Sequence, residues 1–143
     1  MNSHSQIIQK GDVARFVNTP MGKWLQLEVT DEPGVMRMRF ADRHIGNPFI
    51  RALHGGAVGS MIEVSAEIAV AGIVDVGEVV ELTSSTIDYI RVTKDSDLYS
   101  KVELVRKGRR LAFVTVWCWQ DSQDLPVARG SCTLRIFPQG ETG

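Results

Sequence analysis

His54-Gly55-Gly56 opens the stretch HGGAVGSMIEVSAEIAVAGIV, which ends at Val74 and decides how the rest of the chain is read. Val58, Met61, Ile62, Ala66, Ala69 and Ile73 recur at helical spacing and make a broad apolar face. The helix is apolar nearly all round, so other elements must cover most of it. One narrow polar seam crosses it: Gly56, Ser60, Glu63 and Glu67, at steps of four, three and four. Desolvating a carboxylate is costly, so two of them on a buried helix call for a reason. The glycine pair offers free backbone N–H groups at the positive end of the helix dipole. An amide donor and a carboxylate on one helix are the parts of an active site.

The pattern on either side of this helix is different. After Gly77 it changes to period two, and residues 79–92, 98–105, 111–119 and 127–137 read as four strands. They are consecutive, so an antiparallel meander is expected. Upstream, 21–32 and 35–40 read as a hairpin about the turn Asp31-Glu32-Pro33-Gly34. Ser5 to Val17 has the spacing of a short helix, stopped near Pro20. Residues 41–53 lack periodicity, and loops of this length are often functional. The expected fold is α+β: an antiparallel sheet around a long central helix. It makes one domain, 1–143, with a helical segment over 1–20 and a tail over 138–143. The sheet's outer face or edges are expected to pair with another copy.

Composition narrows the function classes. The chain has 143 residues, 43% hydrophobic and 23% charged, with net charge -1. That is ordinary for a soluble domain and gives no electrostatic case for nucleic acid. Cys118 and Cys132 lie in apolar strand-like runs without metal-ligand spacing, so they read as buried thiols and no metal is expected. The start of the chain lacks the apolar core of a secretory signal, and no stretch approaches a membrane span. A cytoplasmic location is the resulting expectation.

The segment NPFIRALHGGAVGSMIE, set in this layout, resembles the hotdog-fold acyl-CoA thioesterases, particularly their PaaI-like (phenylacetate-pathway) branch. The resemblance covers about residues 22–137. Its sharpest part is HGG at a helix start with an acid nine positions after the histidine, here Glu63. The runs Ile87-Asp88-Tyr89-Ile90-Arg91 and Arg106-Lys107-Gly108-Arg109 resemble the family's strand and turn pattern. The family implies hydrolysis of an acyl-CoA to free acid and CoA, with no cofactor beyond the CoA of the substrate. By resemblance, the Gly55 N–H polarises the thioester carbonyl and Glu63 is general base or nucleophile. His54 and Asn47 orient the carbonyl or the water. The family's asparagine commonly lies six residues before the histidine; Asn47 lies seven before.

Spacing adds a constraint. Gly55 and Glu63 are separated by about 12 Å of helix at ~1.5 Å per residue. One helix therefore does not bring both to one carbonyl, whereas a partner helix can. A homodimer is the expected minimal unit, with a homotetramer as the larger alternative. Gly56, Ser60, Glu67 and Ser84 are candidates to line the substrate. Arg91, Arg106, Lys107 and Arg109 are candidates for the CoA phosphates. Two alternatives keep the fold and change the role: a non-catalytic acyl-CoA binding module, and a hydratase or dehydratase.

Overall fold

A computed structural model describes residues 10–141. Two short helices come first, α1 (Lys10–Val17) and α2 (Pro20–Leu25), followed by β1 (Leu27–Val29) and β2 (Val35–Met38). A two-strand ribbon, β3 (Ile45–Asn47) and β4 (Ala52–Leu53), precedes the central helix α3 (Gly55–Ala71). Four long strands close the chain: β5 (Glu78–Tyr89), β6 (Leu98–Lys107), β7 (Leu111–Trp119) and β8 (Ala128–Pro138). This is the expected α+β arrangement, an antiparallel six-stranded sheet with one long helix against it. The beginning of the helix expected over 5–17 and the end of the expected tail lie outside the described residues.

The apolar face of α3 does what its spacing predicts. Met61, Ile62, Ala66, Ile68, Ala69 and Val70 are fully buried. Each large side chain among them contributes roughly 1.5–3 kcal/mol of burial. They meet the inward residues of β6, β7 and β8, among them Leu98, Val102, Val114, Val116, Cys132 and Leu134. The contact with β8 is close enough to dictate a residue: a Cβ at Gly130 would lie 2.3 Å from Ile62 Cγ2.

Three sequence expectations change. The strand order is β1-β2-β6-β7-β8-β5, so only β6, β7 and β8 form a meander. β5 lies on the far side of β8, and residues 90–97 return the chain to β6 beside β2. Placed there, β5 still covers α3 together with β6, β7 and β8. Secondly, Pro20 starts a helix rather than only stopping one. It occupies the first turn of α2, capped by Thr19, and carries Trp24 and Leu25 out of the expected strand. Thirdly, the loop over 41–53 is partly ordered by the β3–β4 ribbon. The outer edge of β5 pairs with no strand among the described residues.

Candidate active site

The helix start is held by two side chains, His54 and Tyr89, and by a backbone bond to His44. His54 is its N-cap, with extended backbone, and its Nδ1 accepts the Gly56 N–H at 2.9 Å. The His54 carbonyl accepts from Ala57 and Val58 at 2.9 and 3.2 Å, and its N–H donates to the His44 carbonyl at 2.7 Å. Tyr89, the last residue of β5, donates its hydroxyl to the Gly55 carbonyl at 2.9 Å. These bonds leave the Gly55 N–H without a partner among the described residues, on an exposed residue. An Nδ1 that accepts leaves the neutral His54 ring its proton on Nε2, a second outward donor.

Glu63 lies two turns further on and is half-buried. Its Oε2 accepts a hydrogen bond from Ser85 Oγ on β5 at 2.6 Å. Glu67, one turn beyond, is also half-buried. Desolvation holds its carboxyl above the ordinary glutamate value, and the Glu63 carboxylate adds to the effect. The Cys132 thiol faces the same seam from β8. Burial pushes it up to about 11, with Glu63 and then Glu67 contributing. Cys132 is therefore a protonated lining group rather than a nucleophile.

A bulge decides which serine meets Glu63. Val80 and Leu82 of β5 are partly buried, and the register of β5 against β8 then shifts between Leu82 and Ser84. One extra residue reverses the phase of everything after it. Ser85 and Tyr89 bond to α3, and the Ile87 side chain lies against Gly59. Ser84, the serine singled out from sequence, is exposed. Ser85 opposes Cys132 in the ladder and Tyr89 opposes Ala128. The four residues from Ser85 to Tyr89 span about 13 Å, close to the ~12 Å from Glu63 back to Gly55. Strand and helix run antiparallel, and one strand holds both groups apart.

The other predicted residues divide. Gly56 spends its N–H on His54, and Ser60 is half-buried on the seam between Gly56 and Glu63. Asn47 is exposed in β3, and its Oδ1 accepts the Phe49 N–H at 3.0 Å, which makes a turn. Its neighbour Gly46 packs on the helix start, where a Cβ would lie 2.6 Å from His54 Cα. His44 is wholly buried, its Nε2 at 2.8 Å from the Trp24 carbonyl and its Nδ1 accepting from Ala41, so it braces the ribbon behind His54.

The basic candidates are not one cluster. Arg91 is beyond Tyr89, at the helix-start end of the sheet, and donates to the Pro126 carbonyl at 2.6 Å. Arg106 is turned by a second bulge to oppose Phe113, with its guanidinium 4.9 Å from that ring. Lys107 and Arg109 line an open groove of about 890 Å³ at the opposite end, with Arg110, Arg135, Asp75 and Glu78. Arg135 went unnoticed in the sequence because it is 25 residues from the turn it joins. Among the described residues, no three His, Cys, Asp or Glu side chains stand together as a metal site. No helix among them is long and apolar enough to cross a membrane.

Comparisons with known proteins agree with this geometry. The family model of the acyl-CoA thioesterase N-terminal domain matches residues 45–135, well over half the chain. A thioesterase from Haemophilus influenzae superposes with a TM-score of 0.82 at 15% identity, covering 93% of each chain. The PaaI protein from the phenylacetic acid degradation operon of E. coli gives 0.77 at 18%, covering 98% of this chain and 99% of that one. A Bacillus halodurans protein crystallised with CoA gives 0.75 at 19%, covering 93% of this chain and 87% of that one. No curated protein matches the chain. The chain belongs to the acyl-CoA thioesterase family and has the hotdog fold, PaaI-like in its layout.

Proposed function

We propose that this protein hydrolyses an acyl-CoA thioester to the free acid and CoA, in a homodimer whose two sites each draw on both subunits. The observation that carries the reading is the pairing of a Gly55 N–H that has no partner among the described residues, at the start of α3, with a half-buried, hydroxyl-held Glu63 in its middle. Thioester hydrolysis needs these two functions: a donor where the carbonyl oxygen gains charge, and a base or nucleophile for the attack. In the general-base version, Glu63 takes a proton from water as its oxygen adds to the carbonyl carbon. The C–S bond then breaks, and the thiolate recovers the proton. In the nucleophile version the Glu63 carboxylate adds to the carbonyl and the C–S bond breaks, leaving a mixed anhydride and the CoA thiolate. Water then cleaves the anhydride to the acid and the Glu63 carboxylate, and its released proton goes to the thiolate.

The ~12 Å between the groups within one chain supports a shared site. So does the unpaired edge of β5, a long row of free N–H and C=O groups suited to pairing with a second copy. A CoA-bound relative of the same fold supports the ligand class. Lys107, Arg109, Arg110 and Arg135 form the basic groove we assign to the CoA phosphates. Asn47 and His54 keep an orienting role in this reading, Asn47 through its Nδ2 amide, since its Oδ1 is held by Phe49, and His54 through Nε2.

A hydrolysis panel of short, long and aromatic acyl-CoAs, followed by release of free thiol, tests the activity. The Glu63→Ala variant is expected to lose about 10²–10⁴ of kcat, the range of a positioned acid or base. Undiminished turnover in that variant removes Glu63 from the mechanism. Thermal stabilisation by acyl-CoA without turnover across the panel identifies a binding module instead.

A further inference from the structure

The Gly55–Gly56 peptide is bonded on both sides. Tyr89 Oη donates to its carbonyl at 2.9 Å, and His54 Nδ1 accepts its N–H at 2.9 Å. The preceding His54–Gly55 peptide, which carries the Gly55 N–H, is held at its carbonyl by the Ala57 and Val58 amides, and the Leu53–His54 peptide before it by the bond from the His54 N–H to the His44 carbonyl. Two successive glycines are the most permissive start a helix can have. At the Gly55–Gly56 peptide, direction comes from two side chains, Tyr89 and His54. Space does not require the glycine at 55, where a Cβ would meet Tyr89 Oη at an ordinary 3.6 Å. An oxyanion donor loses its advantage once it must reorganise during reaction, and sites of this kind need tolerances of about 0.5 Å and 10–20°.

We propose that Tyr89 is a positioning residue that, with His54, locks the Gly55–Gly56 peptide from opposite sides and so fixes the Gly55 backbone on the side that follows its N–H, the N–H itself lying in the adjoining His54–Gly55 peptide. Tyr89 acts through Gly55 and takes no part in proton transfer. The reading explains why β5 reaches the helix start at all. The bulge after Leu82 turns Tyr89 inward, and without it the inward positions would be Thr86 and Asp88. It also gives Tyr89 a use despite its exposure of 57%, which burial energy alone does not explain.

This inference rests on the thioesterase reading for its kinetic consequence only, and its test has a separate structural readout. Tyr89→Phe keeps the ring and removes the hydroxyl. We expect amide hydrogen exchange at Gly56, followed by NMR, to rise about tenfold at unchanged Tm. We expect kcat to fall about tenfold, with KM within about twofold and the shape of the pH–rate profile unaltered. Wild-type exchange at Gly56 in the variant overturns the lock. Raised exchange with wild-type kcat overturns its link to the Gly55 donor. A wild-type protein that hydrolyses nothing defeats the thioesterase reading and leaves the exchange result to decide the lock.

Discussion

At the first turn of α3, the carbonyls of His54 and Gly55 and the amides of Gly56, Ala57 and Val58 are all bonded, and the Gly55 N–H is the group left over. Two turns later the arrangement is reversed. Glu63 hangs on one hydroxyl, that of Ser85, beside a second carboxylate that has no hydrogen-bond partner among the described residues. The start is exposed and rigid by hydrogen bonding; the middle is half-buried and costly by desolvation. A donor must not move as charge develops, whereas a base must exchange protons and needs a side chain with some freedom. The two regions are built to opposite specifications on one helix, and both are fixed by the same half of β5.

Removing the donor should break the comparison most severely. Gly55 occupies the first helical position, where proline is tolerated, and His54 already has the extended backbone that a following proline requires. Gly55→Pro therefore deletes one N–H while keeping the helix. We expect a loss of about 10²–10³ in kcat, the worth of an oxyanion donor. Gly55→Ala, which retains the N–H, should stay within about tenfold of wild type, and equal losses in both variants would point to crowding. Mixing Gly55→Pro with Glu63→Ala subunits tests whether the site is shared. Each mixed dimer would hold one intact site, so random reassortment should restore about a quarter of wild-type activity. No recovery after confirmed exchange would place both groups of a site on one chain.

Ser85→Ala acts on the other region and should cost less. The carboxylate loses one charge-assisted hydrogen bond but keeps its position on α3. We expect kcat to fall about tenfold, with Ser85→Thr retaining most of it. An unaffected Ser85→Ala would mean that packing alone orients Glu63.

What the sequence reveals follows the same division. The helix, its greasy faces and its polar seam are written in its period. The helix start is legible because glycine pairs and a following acid are chemically unusual there. Ser85 is not legible, because residues 83–86 read Thr-Ser-Ser-Thr, and a one-residue bulge exchanges one small polar residue for another. The position of β5 beyond β8 is equally silent, since alternation along a strand does not say which sheet edge it joins. The placing of charge is hidden for a related reason. A count of arginines near a turn does not reveal which face each one takes, and the bulge between Leu104 and Arg106 exchanges the faces that Arg106 and Lys107 take. Asn47 shows the converse: its type and neighbourhood fit an orienting role, yet its carbonyl oxygen is occupied by Phe49.

The smallest expected effect concerns the charge that the middle of the helix tolerates. Glu67 has its folded-state carboxyl raised above the ordinary 4.5, first by desolvation and then by Glu63. Its neutral form is therefore the one that folding favours. Stability from this residue is fully present below the unfolded value and is lost as pH rises from there through the folded value. Glu67→Gln carries no charge at any pH and avoids that loss. Its Tm should exceed that of wild type by roughly 1–4 °C at pH 7–8, and the gap should close as pH falls toward 4. A gap of the opposite sign at neutral pH would mean that the charged form of Glu67 is the one stabilised, by a cation from a partner subunit. The middle of α3 would then be held as firmly as its start.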